Sequence, residues 1–334
     1  KYFRNEAGFS GLFLIFALRL DGPNPDIVKR IIDEAQMVDR YGFLGRGYFD
    51  IRNLPRGDYY AGEAWLIDAY GEMRNQGYEV TLDREPYLLT AYNPMEHTGF
   101  YMGWYTEHVD GAIARPDFRF RPGALAYHLH SASAKTLKSD KEQWVGPLLT
   151  KGAAFTFGAV YEPFLRYTVD LDILANRLRS GFTYAESVYM AMPAISWQMT
   201  VIGDPLARPF GYPLNQQIKH LEEDGRPEVE WAWLRQVNLM IQDGRFNRGM
   251  ELCRRKMQET GSLVLREKLG DMYAVNNLFD AAIEQYHGVV TEAKTVETAV
   301  RVGGRRYRPR RNPGVVSCRA GDRSRRRDPA RCLH

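Results

Sequence analysis

The chain contains little cysteine and lacks the short motifs that mark common catalytic sites. Its 334 residues include only Cys253, Cys318 and Cys332, so the sequence predicts no disulfide framework and no C-x-x-C metal site. It has no G-x-S-x-G turn, no dinucleotide fingerprint and no glycine loop for a phosphate. We therefore predict no cofactor and no metal, and the common nucleotide-binding classes are excluded.

Long apolar runs are also missing. The run at residues 11–18 is far shorter than the roughly 20 residues that cross a bilayer, and Arg19 follows it with no small-residue cleavage site. We predict no membrane span and no signal peptide in this chain. Because the chain begins with Lys1 rather than methionine, we expect an N-terminal segment to be missing.

The net charge of +4 is unevenly distributed along the chain. Residues 301–334 hold twelve arginines and no lysine against Asp322 and Asp328, a charge of +10, which leaves −6 for residues 1–300. Arginine, glycine and proline without lysine are more typical of a shifted reading frame than of a basic tail that binds nucleic acid. We expect no nucleic-acid partner, and we interpret residues 296–334 as a disordered, non-native tail.

Apolar strands alternate with helices over residues 1–213. The predicted strands are 12–20, 47–51, 78–83, 98–105, 124–131, 153–160 and 200–202, and the predicted helices are 25–41, 58–76, 141–151, 170–180 and 184–192. A short buried helix is the alternative for 12–20. The alternation predicts an α/β domain with a mostly parallel sheet and helices on both faces.

Residues 214–295 differ in composition and contain two helical hairpins over 228–292. The second hairpin has tetratricopeptide (TPR) spacing, at Leu269, Gly270, Tyr273, Ala282 and Tyr286. A weaker copy, Met240, Phe246 and Gly249, lies 33 residues earlier. Since a free solenoid needs about three repeats, we expect these TPR-like hairpins to dock on the sheet domain or to continue elsewhere, and to offer a surface for a protein or peptide partner. An ordinary pair of helical hairpins is the alternative.

The strongest candidate site is the end of the strand in GALAYHLHSASA, residues 123–134. Sites of open α/β sheets lie beyond the carboxyl ends of strands, and this end carries His128, His130, Ser131 and Ser133. A hydroxyl with a histidine base in hydrogen-bond reach can attack a carbonyl group. The pattern predicts a Ser/His hydrolytic site, and the alternative is a polar strand end whose hydroxyls cap the next turn.

Three further residues are predicted to bind a ligand at the rim of this site. Glu162 and Asp204 each follow an apolar strand and precede a proline, and Trp104 lies near the end of the aromatic strand 98–105. We expect Glu162 and Asp204 to share one edge of the sheet. A weaker hypothesis is a metal held by His128 and His130. Its third ligand would be His97, His108, Asp110 or Glu162.

Several motifs occur in an order that resembles a bacterial family of exported proteins. They are RLDGP (19–23), GRGYFD (45–50), WVGPLLTKGAA (144–154), VYEPFL (160–165), GFTYAES (181–187) and SWQMTVIGDPLARPF (196–210). That family ends its conserved region with a GDPLYRPF-like motif, in which tyrosine replaces the Ala207 of this chain. The resemblance covers about residues 10–213 and implies an exported or periplasmic protein with a further α/β segment before residue 1.

More distantly, the order of features is similar to that of gingipain-type cysteine peptidases of the caspase-like fold. In those peptidases one strand ends in His-Gly and the next in the nucleophilic cysteine. The corresponding strands here end in Gly103-Trp104-Tyr105 and carry Ser131 and Ser133. The resemblance implies a caspase-like domain that has lost the thiol and binds a protein or peptide, and the alternative is a peptidase-like hydrolase that uses a Ser/His site.

Overall fold

The computed structural model describes residues 16–54, 56–195, 198–293 and 295–306. Its strands are β1 (Arg46–Asp50), β2 (Val80–Asp83), β3 (Thr98–Gly103), β4 (Leu125–His128), β5 (Thr156–Ala159) and β6 (Met199–Ile202). The α/β region has helices α1 (Pro25–Tyr41), α2 (Tyr60–Asn75), α3 (Gly111–Ala114), α4 (Val145–Thr150), α5 (Leu171–Arg179) and α6 (Tyr184–Ala191). The helices α7 (Leu214–Glu223), α8 (Val229–Gln242), α9 (Phe246–Thr260), α10 (Leu263–Val275), α11 (Phe279–Glu292) and α12 (Val296–Arg306) follow.

The central sheet is parallel in the order β2-β1-β3-β4. Strands β5 and β6 form an antiparallel pair, and a parallel bridge between Leu125 and Phe155 joins β5 to β4. At the far side of β6, Arg19 pairs with Ile202. Among the described residues of the predicted strand 12–20, only Arg19 takes part in a β-bridge. Residues 12–15 of that strand lie outside the described residues. The prediction of an α/β fold with a mostly parallel sheet is confirmed.

Side chains alternate between two buried layers, as they do in a sheet covered on both faces. Phe49, Phe100 and Tyr127 pack in one core with residues of α2, α5 and α6. Tyr48, Tyr101 and their neighbours pack on the other side with Trp144 and α4. The predicted covering of both faces is therefore present.

Two helix starts differ from the sequence prediction. Asp58 does not cap α2, which begins at Tyr60 without a side-chain cap. The helix expected from residue 141 begins only at Val145. The hydroxyl of Ser139 accepts hydrogen bonds from the backbone N–H groups of Lys141 and Glu142. This side chain offers the backbone a turn in place of the first helical bonds.

The helical region docks on the amino edge of the sheet, where the parallel strands begin. The guanidinium of Arg46, the first residue of β1, lies 2.7 Å from the Glu267 carboxylate of α10. In α8, Asn238 donates to the Gly77 carbonyl oxygen at 2.9 Å, just before β2. The expected docking on the sheet domain is observed, and the opposite, carboxyl edge is left to the candidate site.

Helix α12 corrects the prediction that disorder begins at residue 296. Arg301 forms ion pairs with Glu96 and Glu267, and Val302 packs in a small core with Tyr286 and Val289. These contacts pack the first part of the arginine-rich tail against the folded chain as a helix. Residues 307–334, the rest of the predicted tail, lie outside the described residues. Among the described helices, none combines the length and apolar character that a membrane crossing needs.

Candidate functional site

His128 is sealed inside the protein. Its Nε2 accepts a hydrogen bond from the Thr106 N–H at 3.1 Å, so the ring proton is assigned to Nδ1, which lies 2.9 Å from the Tyr101 hydroxyl. The ring stacks on Trp144 with 3.5 Å between centroids. Burial lowers the pKa of His128 well below its usual value, so the ring stays neutral. Both ring nitrogens are occupied, and the geometry gives no support to the predicted role of His128 as a base.

Ser133 is buried as well. Its carbonyl oxygen accepts the backbone N–H groups of Trp144 and Val145, so the residue closes the turn onto α4. Its hydroxyl has no hydrogen-bond partner among the described residues. No substrate reaches a hydroxyl in this position without movement of the core.

His130 and Ser131 do line a cavity, of about 170 Å³, at the carboxyl edge of the sheet. The Ser131 hydroxyl lies 3.1 Å from the Tyr105 hydroxyl, and the rings of His130 and Tyr105 are 4.8 Å apart. The His130 Nδ1 accepts the Ala132 N–H at 3.4 Å. Among the described residues no hydrogen bond joins a serine hydroxyl to a histidine ring nitrogen. The catalytic role of Ser131 and His130 stays a prediction.

Partial burial also sets the charge of His130. Burial lowers its pKa, while the carboxylates of Glu107 and Glu162 act in the opposite direction. The imidazole is therefore neutral near pH 7 and faces acidic groups. A cationic ligand group would meet attraction rather than repulsion here.

The opposite wall of the cavity is the loop after β5. Glu162, one of the predicted binding residues, lines the cavity, and its Oε1 accepts the backbone N–H of Phe164 at 2.7 Å. Phe164 has a φ of +45°, a conformation that costs a non-glycine residue about 1–3 kcal/mol. The residue as a whole is 68% exposed. The loop thus places an apolar ring at the cavity mouth, although the backbone conformation of Phe164 is energetically unfavourable.

The other two predicted binding residues do not line the described cavities. Trp104 is buried, and its Nε1 donates to Glu63 Oε1 at 2.8 Å, so it fixes the end of β3 from behind. Asp204 accepts the backbone N–H of Leu206 at 2.8 Å and caps its own turn. Because β6 runs antiparallel to β5, Asp204 lies at the amino edge. The expectation that Glu162 and Asp204 share an edge is wrong.

Aromatic residues that the sequence did not single out complete the site. Tyr59, Tyr105 and Phe164 line the cavity, and Tyr59 is 60% exposed. Tyr105 is the last residue of the predicted aromatic strand 98–105, which was the available signal. Tyr59 precedes α2, and Phe164 lies in the loop after β5. No local sequence pattern indicates that these two residues line the same cavity.

The metal hypothesis gains no geometric support. The described part of the chain has no group of three or more histidine, cysteine, aspartate or glutamate side chains placed to hold an ion. His97 packs against Trp231 at the amino edge, away from His128 and His130. The one described cysteine, Cys253, is buried in α9 and contributes nothing to the carboxyl edge.

Comparison of this chain with protein-family models, with curated proteins and with solved structures found no match.

Proposed function

We propose that this chain carries a caspase-like, gingipain-like module without catalytic activity that binds a peptide or protein at the carboxyl edge of its sheet. The resemblance requires two neighbouring strands that end beside each other, the first with a histidine and the second with a nucleophile. Strands β3 and β4 are parallel neighbours, and the residues that follow them, Tyr105 and Ser131, meet at 3.1 Å. In the proposed module these two positions would correspond to those of the peptidase dyad, whereas the side chains differ.

The hydrogen bond between Ser131 and Tyr105 is the observation that carries the proposal. A serine hydroxyl becomes a nucleophile when an adjacent base takes its proton. Here its partner is a phenol, which is itself a proton donor, and the imidazole of His130 packs on that phenol ring. The arrangement suits recognition of a polar ligand group better than acyl transfer.

The size and rim of the cavity suit one side chain of a larger ligand. Sites for whole small molecules measure about 300–1,000 Å³, and this cavity measures about 170 Å³. Exposed aromatic rings beside a concave site are typical of protein and peptide interfaces, and Tyr59 and Phe164 provide them. The ligand would insert one group and lie across the aromatic rim.

The charge of the site favours a cationic group. Glu162 lines the cavity, and Glu107 and Glu162 both act on His130 electrostatically. Aromatic faces attract ammonium and guanidinium groups by about 0.5–2 kcal/mol. We therefore assign a lysine or arginine side chain of the peptide to this cavity.

Equilibrium binding of matched hexapeptides tests this proposal. A panel that varies one position among lysine, norleucine and glutamate is titrated into the wild type, E162Q and E223Q, where Glu223 lies in α7. We expect the wild type and E223Q to prefer lysine over norleucine by about tenfold, and E162Q to lose the preference. Equal binding of all three peptides to the wild type, or no binding, contradicts the proposal.

Hydrolysis at Ser131 is the second candidate function, because Ser131 and His130 share one cavity. Nδ1 of His130 is engaged with a backbone N–H, so Nε2 would have to turn toward the Ser131 hydroxyl to act as base. This candidate requires a covalent adduct on Ser131 with a serine-directed electrophile, whereas the binding module requires none.

We also propose that α8–α11 form two TPR-like hairpins. In the second, a side chain on Gly270 would meet the Tyr286 ring at 2.6 Å, so the small residue of the repeat spacing permits close packing of α10 on α11. Since α8 and α10 supply the described contacts with the sheet domain through Asn238 and Glu267, a partner of these hairpins would contact their outer helices.

A further inference from the structure

A second cavity lies beside the first at the carboxyl edge. It measures about 420 Å³ and is lined by Arg52, Tyr87, Leu88, Tyr105 and Thr106 among others. Tyr105 lines both cavities, so the two cavities adjoin at this residue. An extended ligand that fills the first cavity can therefore reach the second.

Buried groups fix both sides of the second cavity. Glu63 is buried, and its Oε1 accepts the Arg52 backbone N–H at 2.8 Å and the Trp104 Nε1–H at 2.8 Å. It therefore ties the loop after β1 to the end of β3. On the other side, His128 holds the Thr106 N–H. The backbone at Arg52 and next to Tyr105 is thus fixed before any ligand binds, which reduces the backbone entropy lost on binding.

The Arg52 guanidinium is the unusual feature of this cavity. It forms no ion pair and no side-chain hydrogen bond among the described residues, although it is only partly exposed. The nearby Asp50 carboxylate accepts the Leu89 N–H through Oδ2, while its Oδ1 has no hydrogen-bond partner. Arg52 therefore acts on Asp50 through its charge, which opposes the rise in the Asp50 pKa, and not through a hydrogen bond. Asp110, also in the lining, accepts its neighbour's backbone N–H. The N–H donors of the guanidinium are therefore available to a ligand.

We propose that Arg52 binds a carboxylate of the same ligand, so that the site recognises a peptide with a cationic group in the first cavity and an anionic group in the second. Arginine presents paired donors that match a carboxylate. The inference rests on peptide binding at the first cavity. The carboxylate comes either from the peptide's C-terminus or from an acidic side chain, and both sources present the same chemistry to Arg52.

The test uses hexapeptides with lysine at the varied position, made as free acids and as C-terminal amides, each with and without one aspartate at the last position. Each is titrated into the wild type, R52Q, R52K and, as a matched control, R56Q, since Arg56 is an exposed arginine of the same loop. We expect R52Q to weaken binding of the carboxylate peptides about tenfold or more and to leave binding of the C-terminal amide without aspartate unchanged. R52K should retain part of the affinity that the carboxylate adds, and R56Q should bind every peptide as the wild type does.

The pattern among the peptides identifies the source of the carboxylate. A loss in R52Q for free acids alone assigns the C-terminus, and a loss for aspartate amides assigns the side chain. If R52Q binds every carboxylate peptide as tightly as the wild type while E162Q still loses its lysine preference, the Arg52 proposal is overturned and peptide binding at the first cavity stands. If the wild type binds no peptide of the panel, both proposals fail.

Discussion

Asp50, the last residue of β1, is a buried carboxyl group with an incomplete set of partners. It is fully buried, and only one of its oxygens accepts a hydrogen bond, from Leu89. Burial raises its pKa from 3.8 to about 7; Asp83 and Glu63 act in the same direction, while the Leu89 hydrogen bond and Arg52 oppose it. Because the folded-state pKa exceeds the unfolded one, the contribution of Asp50 to stability is lost as the pH rises through about 7.

Replacement of Asp50 by asparagine should therefore stabilise the protein in a pH-dependent manner. The amide keeps an acceptor for Leu89 and carries no charge into the core. Each pKa unit corresponds to about 1.4 kcal/mol, so we expect the advantage of D50N over the wild type to grow by up to about 4 kcal/mol between roughly pH 4 and pH 8. Urea unfolding across this range measures it, and a difference that does not vary with pH contradicts the account.

The HLHSAS segment shows how far single residues could be assigned from the sequence. The pattern placed His130 and Ser131 at a strand end, and the structure has them there, lining a cavity. The pattern could not show that His128 is buried while His130 lines the cavity. The groups that bury His128 are Tyr101, Thr106 and Trp144. These come from elements far along the chain, and a strand pattern carries no information about them.

At the scale of elements, most strands and helices could be predicted from apolar periodicity and turn residues. Thr183 and Glu186 form the capping box that begins α6, and Gly42 ends α1. The direction of β6 could not be predicted. Two helices separate it from β5, and a connection of that length allows either a parallel or an antiparallel return. The wrong expectation that Asp204 shares an edge with Glu162 followed from the assumption that β6 is parallel to β5.

The contact between α10 and the amino edge depends on a buried charge cluster. Glu267 pairs with both Arg46 and Arg301, and the side chains of all three are at most 12% exposed. Removal of one partner from a buried ion pair costs about 3–5 kcal/mol, because the other charge stays buried without compensation.

E267Q should therefore lower the free energy of unfolding by about 3–5 kcal/mol. The control E223Q breaks an exposed pair between Lys219 and Glu223 and should change it by less than about 1 kcal/mol. Urea denaturation measures both. A cost for E267Q no greater than that for E223Q would show that the cluster does not hold α10 on the sheet domain.

At the scale of the molecule, the two edges of the sheet have different surroundings. The amino edge is covered by the helical region through Arg46 and Gly77. The carboxyl edge carries both cavities, most of whose residues follow the parallel strands β1 to β5. This division could not be predicted from the sequence, since it depends on how α8 and α10 approach the sheet. It leaves the carboxyl edge, with the two cavities, uncovered by α8 and α10.

Covalent labelling tests most directly whether that edge binds without catalysing a reaction. The wild type, S131A and H130A are treated with fluorophosphonate and peptidyl electrophile probes, and adducts are located by mass spectrometry of the digested protein. A catalytic serine would give its hydroxyl proton to a base, and its Oγ would displace fluoride from the fluorophosphonate to form an Oγ–phosphorus bond. We predict no adduct on Ser131 above the level in heat-denatured protein, and no difference among the three chains. An adduct on Ser131 of the folded wild type that is absent from both variants would contradict the account and establish the hydrolase.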